Sequence, residues 1–179
     1  MKKLALPLDP AIAATLRAGE EVLLSGEVLT GRDQACRRLH ELLAAGAELP
    51  VEIRGQLIYF VGPSPAKPGE VVGSAGPTTA GRMNAFMPGL LAHGVRGFIG
   101  KGYLADSVKA ALREHGGVYF GAIGGTGALL SQSITACEVV AFPELLSEAV
   151  HRMRFEDFPA IVLNDTHGGD LYQSVLSPS

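Results

Sequence analysis

Cysteine is scarce in this chain of 179 residues: Cys36 and Cys137 are all it has. They lie far apart and match no zinc or redox spacing. Two thiols cannot supply the three thiolates of a site-differentiated iron–sulfur cluster, so any such cluster must come from elsewhere. Charge is sparse as well. A net charge of −3 argues against a nucleic-acid surface. Although 47% of residues are hydrophobic, no apolar run reaches the ~18 residues that a membrane span needs. The start, Met1-Lys2-Lys3-Leu4-Ala5-Leu6, begins like a signal peptide, but Pro7, Asp9 and Pro10 interrupt it too early, and the expectation is a cytoplasmic protein. Repeats and low-complexity tracts are absent. The five histidines, His40, His93, His115, His151 and His167, are scattered and form no metal-binding spacing. The length fits one domain, residues 1–179, large enough for a real core.

What is present is an alternation of strand and helix patterns. Residues 21–29 read as a strand with a bulge or bend at Gly26. Residues 33–45 read as a helix. Ala35, Cys36, Leu39, Leu42 and Leu43 mark its buried face, Asp33 its start and Gly46 its stop. Gln56 to Val61 reads as a strand, and Gly62-Pro-Ser-Pro-Ala-Lys-Pro-Gly69 as an ordered loop. Helices are expected over 84–93, 105–115 and 126–133, with Pro88 in the first turn of the earliest. Strands are expected over Gly97–Gly100, Val118–Ile123 and Ala136–Ala141. Pro159–Asn164, the His167-Gly-Gly169 turn and Leu171–Val175 suggest a closing hairpin. The class implied is α/β: a mixed, largely parallel sheet with helices, and a second β layer from the N-terminal strands and C-terminal hairpin.

Two glycine turns invite nucleotide readings, and both fail on spacing. Gly121-Ala-Ile-Gly-Gly-Thr-Gly127 follows a strand and opens a helix, but from Gly125 no third glycine follows. No acidic ribose partner follows about 20 residues on. The turn reads better as a helix N-terminus near a ligand. Gly100-Lys101-Gly102 has Val95 and Gly102 where a phosphate-binding loop needs Gly and Ser or Thr. Lys101 is either a snorkelling surface lysine or a ligand group at a strand end, and the flanking glycines favour the second. Arg32-Asp33 stands between strand and helix. Arg32 is either exposed or a carboxylate binder, and Asp33 reads as the helix cap rather than a catalytic acid.

The richest segment is Gly73-Ser-Ala-Gly-Pro-Thr-Thr-Ala-Gly-Arg-Met-Asn84. Its glycines let backbone N–H groups come close, Thr78 and Thr79 present hydroxyls, and Arg82 offers a fork suited to carboxylate or phosphate. With Leu24-Ser-Gly-Glu-Val-Leu-Thr-Gly-Arg-Asp33, Tyr59-Phe-Val-Gly-Pro-Ser-Pro-Ala-Lys-Pro-Gly-Glu70, Gly97-Phe-Ile-Gly-Lys-Gly102, Gly124-Gly-Thr-Gly-Ala-Leu-Leu130 and Phe155-Glu-Asp-Phe-Pro-Ala160, it covers nearly the whole chain. Taken together these segments resemble the β subunit, or C-terminal domain, of the iron–sulfur-dependent class I fumarases and L(+)-tartrate dehydratases.

The resemblance implies a swivelling β/β/α domain. It implies a partner α subunit whose three cysteines hold a 4Fe–4S cluster, with none bound by this chain and no metal ligand in it. It implies a cytoplasmic hydro-lyase acting on a C4 dicarboxylate, inactive as the isolated subunit and assembled in an α2β2-type complex. Fumarate hydration to malate is the first expectation; L(+)-tartrate dehydration or a non-catalytic anion-binding partner domain are the alternatives. By motif, Arg32, Arg82 and Lys101 resemble the groups that grip the diacid. Thr78 resembles the proton-transfer residue, Lys101 shares the catalytic role, and Thr79 is an alternative hydroxyl at the substrate. Asn84 stands where the family usually has Asp, and either residue can cap the next helix. Tyr103-Leu104 replaces a stretch that the family commonly keeps polar.

Overall fold

The computed structural model describes residues 1–176 apart from 124 and 126. In chain order the elements are β1 (Lys2–Ala5), α1 (Pro10–Ala13), β2 (Glu21–Gly31), α2 (Asp33–Ala44), β3 (Leu57–Phe60), α3 (Met87–His93), β4 (Gly97–Gly100) and α4 (Asp106–His115). Then follow β5 (Val118–Ala122), α5 (Gly127–Leu130), β6 (Ile134–Ala141), β7 (Val150–Asn164) and α6 (Leu171–Leu176). Short 3-10 turns occupy Ala80–Met83, Ser131–Ser133 and Pro143–Glu148. Among the described residues no helix is long and apolar enough to cross a membrane.

The mixed α/β expectation holds, with seven strands in the order β1-β2-β3-β4-β5-β7-β6. β1 to β5 run parallel to their neighbours, whereas β7 runs antiparallel to β2, β5 and β6. The added β2–β7 pairing closes a circuit from β2 through β3, β4, β5 and β7 back to β2. The second β layer is therefore a continuation of the same sheet, folded over on the long strands β2 and β7. A register shift between Leu24 and Gly26 bends β2 where this fold-over occurs, at the glycine expected to form the bulge.

Alternation along the strands divides the core in two. Leu57, Tyr59, Ile99, Val118 and Phe120 point into the space enclosed by strands, where they meet Leu24, Val28, Met153, Phe155 and Phe158. Ile58, Phe60, Phe98 and Tyr119 point the other way, against α2, α3 and α4 through Leu39, Leu90 and Leu112. That is the period-two logic of a strand buried on both faces.

Helix ends follow the sequence signals in most places. α2 closes with Gly46 in the left-handed region (φ 66°), the Gly46 N–H on the Leu43 carbonyl and the Ala47 N–H on the Leu42 carbonyl. α3 and α4 end at Gly94 and Gly116, each after a histidine. Three expectations need correction. The C-terminal hairpin is absent: after the turn at 165–169 the chain forms α6, started by the Asp170 carboxylate accepting from the N–H groups of Tyr172 and Gln173 at 3.0 and 3.3 Å. Asp33 is not the cap of α2. Arg32 holds that position, extended at φ −129°, and no side chain caps the helix. Asn84 does not start the next helix either, since α3 begins after Phe86, and it closes the 3-10 turn instead.

Candidate active site

The parallel strands β2, β3 and β4 lie side by side and end on the same edge of the sheet. Each end leads directly into a predicted site segment. Arg32 follows Gly31 at the end of β2, and Lys101 follows Gly100 at the end of β4. The chain leaves β3, loops out, and returns at Thr78, whose N–H donates to the Phe60 carbonyl at 2.8 Å. Thr79 and Lys101 then pair as an isolated parallel bridge, and the Ala80 N–H donates to the Lys101 carbonyl at 2.9 Å. The Gly/Thr/Arg loop thus continues the sheet beyond β3 and β4. Carboxyl edges of this kind are where open α/β sheets gather ligand groups.

Arg82 sits on the 3-10 turn that follows. Its Nη2 donates to the Thr78 hydroxyl at 3.3 Å, and its Nε lies 3.5 Å from Asp33 Oδ2. The Arg82 side chain is 56% exposed, so part of its donor fork stays open to solvent. Arg32 is held differently. Its side chain lies over Gly62, where a Cβ would sit 2.9 Å from both Arg32 Cδ and Nη1 and 3.3 Å from the Ser147 carbonyl. Arg32 Nε and Asp33 Oδ1 are buried without a hydrogen-bond partner among the described residues. Native interiors satisfy nearly all such atoms, so these two orphans mark a place where folding was not the only constraint. Lys101 is exposed, and among the described residues neither it nor Arg32 is in a salt bridge.

The loop is braced from behind. Buried Tyr59 donates its hydroxyl to the Ala75 carbonyl. The Ala75 N–H donates to the Gly127 carbonyl at 3.2 Å, and a Cβ on Gly127 would lie 2.5 Å from the Gly76 nitrogen and the Ser74 hydroxyl. Gly127 therefore backs the loop. Gly124 and Thr126 of that turn lie outside the described residues. Asn84 ties two site segments together. Its Nδ2 donates to the Gly81 carbonyl at 3.1 Å, and its Oδ1 accepts from the Ala105 N–H at 3.2 Å. The Tyr119 hydroxyl donates to the Gly102 carbonyl at 3.1 Å, fixing the chain just beyond Lys101.

The two cysteines are free and lie on different elements. Cys36 is buried inside α2, where burial, with help from the Asp33 charge, pushes its thiol up to about 12. Cys137 lies half-buried on β6, its thiol also raised by burial and by Glu138. Among the described residues no three His, Cys, Asp or Glu side chains are grouped to hold a metal ion.

The structure brings Thr78, Thr79, Arg82 and Lys101 together directly, and links Arg82 to the Arg32-Asp33 corner through Asp33. Sequence reasoning missed Asp33 as the partner of Arg82, Gly62 as the seat of Arg32, and Asn84 as a clamp. Gly62 alone carried a local signal, a glycine immediately beyond an apolar strand. The other two depend on contacts between segments that no spacing reveals.

The profile of the family described as Fumarase C-terminus matches residues 4–175. The anaerobic class I fumarate hydratase of Escherichia coli K12 is 44% identical over 156 residues, covering 86% of this chain and 28% of that protein. Fumarate hydratase 2 of Leishmania major is 38% identical over 161 residues, with 89% and 28% covered. The putative L(+)-tartrate dehydratase subunit beta of Methanocaldococcus jannaschii is 33% identical over 166 residues, covering 89% of this chain and 85% of that subunit. The chain thus spans between about a quarter and a third of the length of the fumarate hydratases it matches, and most of the length of the tartrate dehydratase subunit.

Proposed function

The chain belongs to the fumarase C-terminus family, and from that premise we propose that it is the β subunit of a two-subunit hydro-lyase acting on a C4 dicarboxylate, with fumarate and malate as the first substrate pair. The observation that carries this reading is the meeting of Arg82 with the Thr78 hydroxyl at 3.3 Å, on a sheet edge that also bears Lys101 and Arg32. In this reading Arg32, Arg82 and Lys101 grip the two carboxylates. Two or more charge-assisted contacts orient the diacid and stabilise the charge that builds on a carboxylate as the neighbouring carbon loses its proton.

In the dehydration direction the C–H bond breaks and its proton passes to the Thr78 alkoxide, the C–H electron pair forms the carbon–carbon double bond, and the C–O bond of the next carbon breaks to release hydroxide, which takes a proton from solvent to become water. Thr78 must act as an alkoxide. An unperturbed Thr hydroxyl is a very poor base at neutral pH, and donation from Arg82 with Lys101 nearby favours the anionic form. Arg82 donates to the Thr78 hydroxyl, which supports Thr78 as the acting hydroxyl and Thr79 as a lesser contact. A 4Fe–4S cluster held by three cysteines of a partner α subunit supplies the Lewis acid for the leaving hydroxyl. The domain swivels over that partner to close the site in an α2β2-type assembly. A cytoplasmic setting agrees with two free thiols.

A second substrate has support of its own. The putative L(+)-tartrate dehydratase subunit beta is similar to this chain over 85% of that subunit, which keeps L(+)-tartrate in contention. Anaerobic co-purification with the α partner, followed by turnover assays on fumarate, L-malate and L(+)-tartrate, tests both. Turnover of one of these diacids is the expected result. A folded complex inactive on all of them would reduce the chain to an anion-binding partner domain.

A further inference from the structure

We infer that Asp33 is a positioning residue for this site: its carboxylate sets Arg82 so that the guanidinium faces the Thr78 hydroxyl. The inference rests on the reading of Thr78 and Arg82 as site residues.

Arg82 touches its two partners through different atoms, Nε toward Asp33 Oδ2 at 3.5 Å and Nη2 toward Thr78 Oγ1 at 3.3 Å. The guanidinium is planar and rigid. Holding its Nε edge therefore fixes the direction in which Nη2 donates. Without such a hold, an arginine whose side chain is 56% exposed on a short turn would sample many rotamers. Asp33 is suited to the task. It comes from the start of α2, a different part of the chain, and its own side chain is 31% exposed, so it is the better anchored of the pair.

Two further facts separate this role from ordinary helix-start chemistry. The cap position of α2 is Arg32, and no side chain caps the helix, so Asp33 does not satisfy the end of α2. Its Oδ1 is buried without a donor among the described residues, an arrangement that folding alone disfavours. A carboxylate in the first turn does gain from the helix dipole. That gain is indifferent to Arg82, which provides the way to distinguish the two roles.

The experiment is a double-mutant cycle in the reconstituted complex with D33N, R82A and the double variant, read as kcat and KM on the diacid it turns over. D33N should lower kcat/KM by about tenfold or more, as misplacement of a clamp does. In the R82A background the same change should cost less than about twofold, because an absent guanidinium cannot be misaimed. Equal losses in both backgrounds would make Asp33 a structural residue and overturn the inference. A flat D33N beside a strongly impaired R82A would overturn it while leaving the site reading intact. Full activity in R82A would overturn both.

Discussion

Gly62→Ala is the perturbation that best separates the site from the scaffold. The backbone at Gly62 lies outside the left-handed region, so alanine is allowed there and gains a little through the unfolded state, about 0.4–1 kcal/mol. The new methyl would stand 2.9 Å from Arg32 Cδ and Nη1. Ordinary contact starts near 3.5 Å, so the guanidinium arm must retreat by about 0.6 Å. The Ser147 carbonyl, 3.3 Å from the same point, limits retreat of the main chain. Overpacking costs about 1–3 kcal/mol, and the displaced group is the end of a flexible side chain. The net change in stability should therefore stay under about 2 kcal/mol, a shift in Tm of no more than about 8 °C. Catalysis is less forgiving, since a misplacement near 1 Å can cost about a hundredfold. The variant complex should lose at least about tenfold in kcat/KM while unfolding near the wild-type temperature, measured by the ultraviolet absorbance of fumarate and by thermal denaturation. Wild-type turnover at an unchanged Tm would refute the role of Arg32. A collapse in Tm matching the loss of activity would show that the glycine serves packing instead.

Other substitutions test other parts of the site. Arg82→Ala should lower kcat/KM by at least about a hundredfold, given charged hydrogen bonds and the misdirected Thr78 together; a loss under threefold would make Arg82 structural. Thr78→Val should lower kcat by at least about a hundredfold with little change in KM, and far more than Thr79→Val, as expected for removal of a proton carrier; the opposite order would transfer the role to Thr79. Away from the site, burial would raise the Asp165 carboxyl, but N–H groups of Ala18, Gly169 and His167 donate to it and hold it below its ordinary value. The unfolded chain then binds its proton first, so the stabilisation is complete above about pH 4 and is lost as the pH falls through the lower folded value. Asp165→Asn should flatten that acid limb in urea titrations between pH 5 and pH 2, whereas an unchanged slope would assign the acid sensitivity to other carboxylates.

Much of the fold was legible because its signals are local. The β2–β5 run could be read from short apolar stretches, and α2, α3 and α4 from three- and four-residue periodicity with glycine stops. β7 was read only in its last part, since His151, Arg152, Arg154, Glu156 and Asp157 give it a charged face and its partners are β2 and β6, remote in sequence. α6 was misread because Leu171–Leu176 is too short to show a period, and its start depends on Asp170. The candidate site residues could be picked out from their motifs. Their geometry could not, because Asp33 meets Arg82, and Asn84 meets Ala105, only once the ends of β2, β3 and β4 are aligned.

Anaerobic turnover by the purified chain, alone and then mixed with the proposed cluster-bearing α subunit, tests the proposed half-site most directly. The chain alone should show no hydration or dehydration of any C4 diacid, and the mixture should turn over fumarate or L(+)-tartrate with activity that Arg82→Ala abolishes. Robust turnover by the isolated chain would contradict a site completed by another polypeptide, as would a stable complex that binds no diacid.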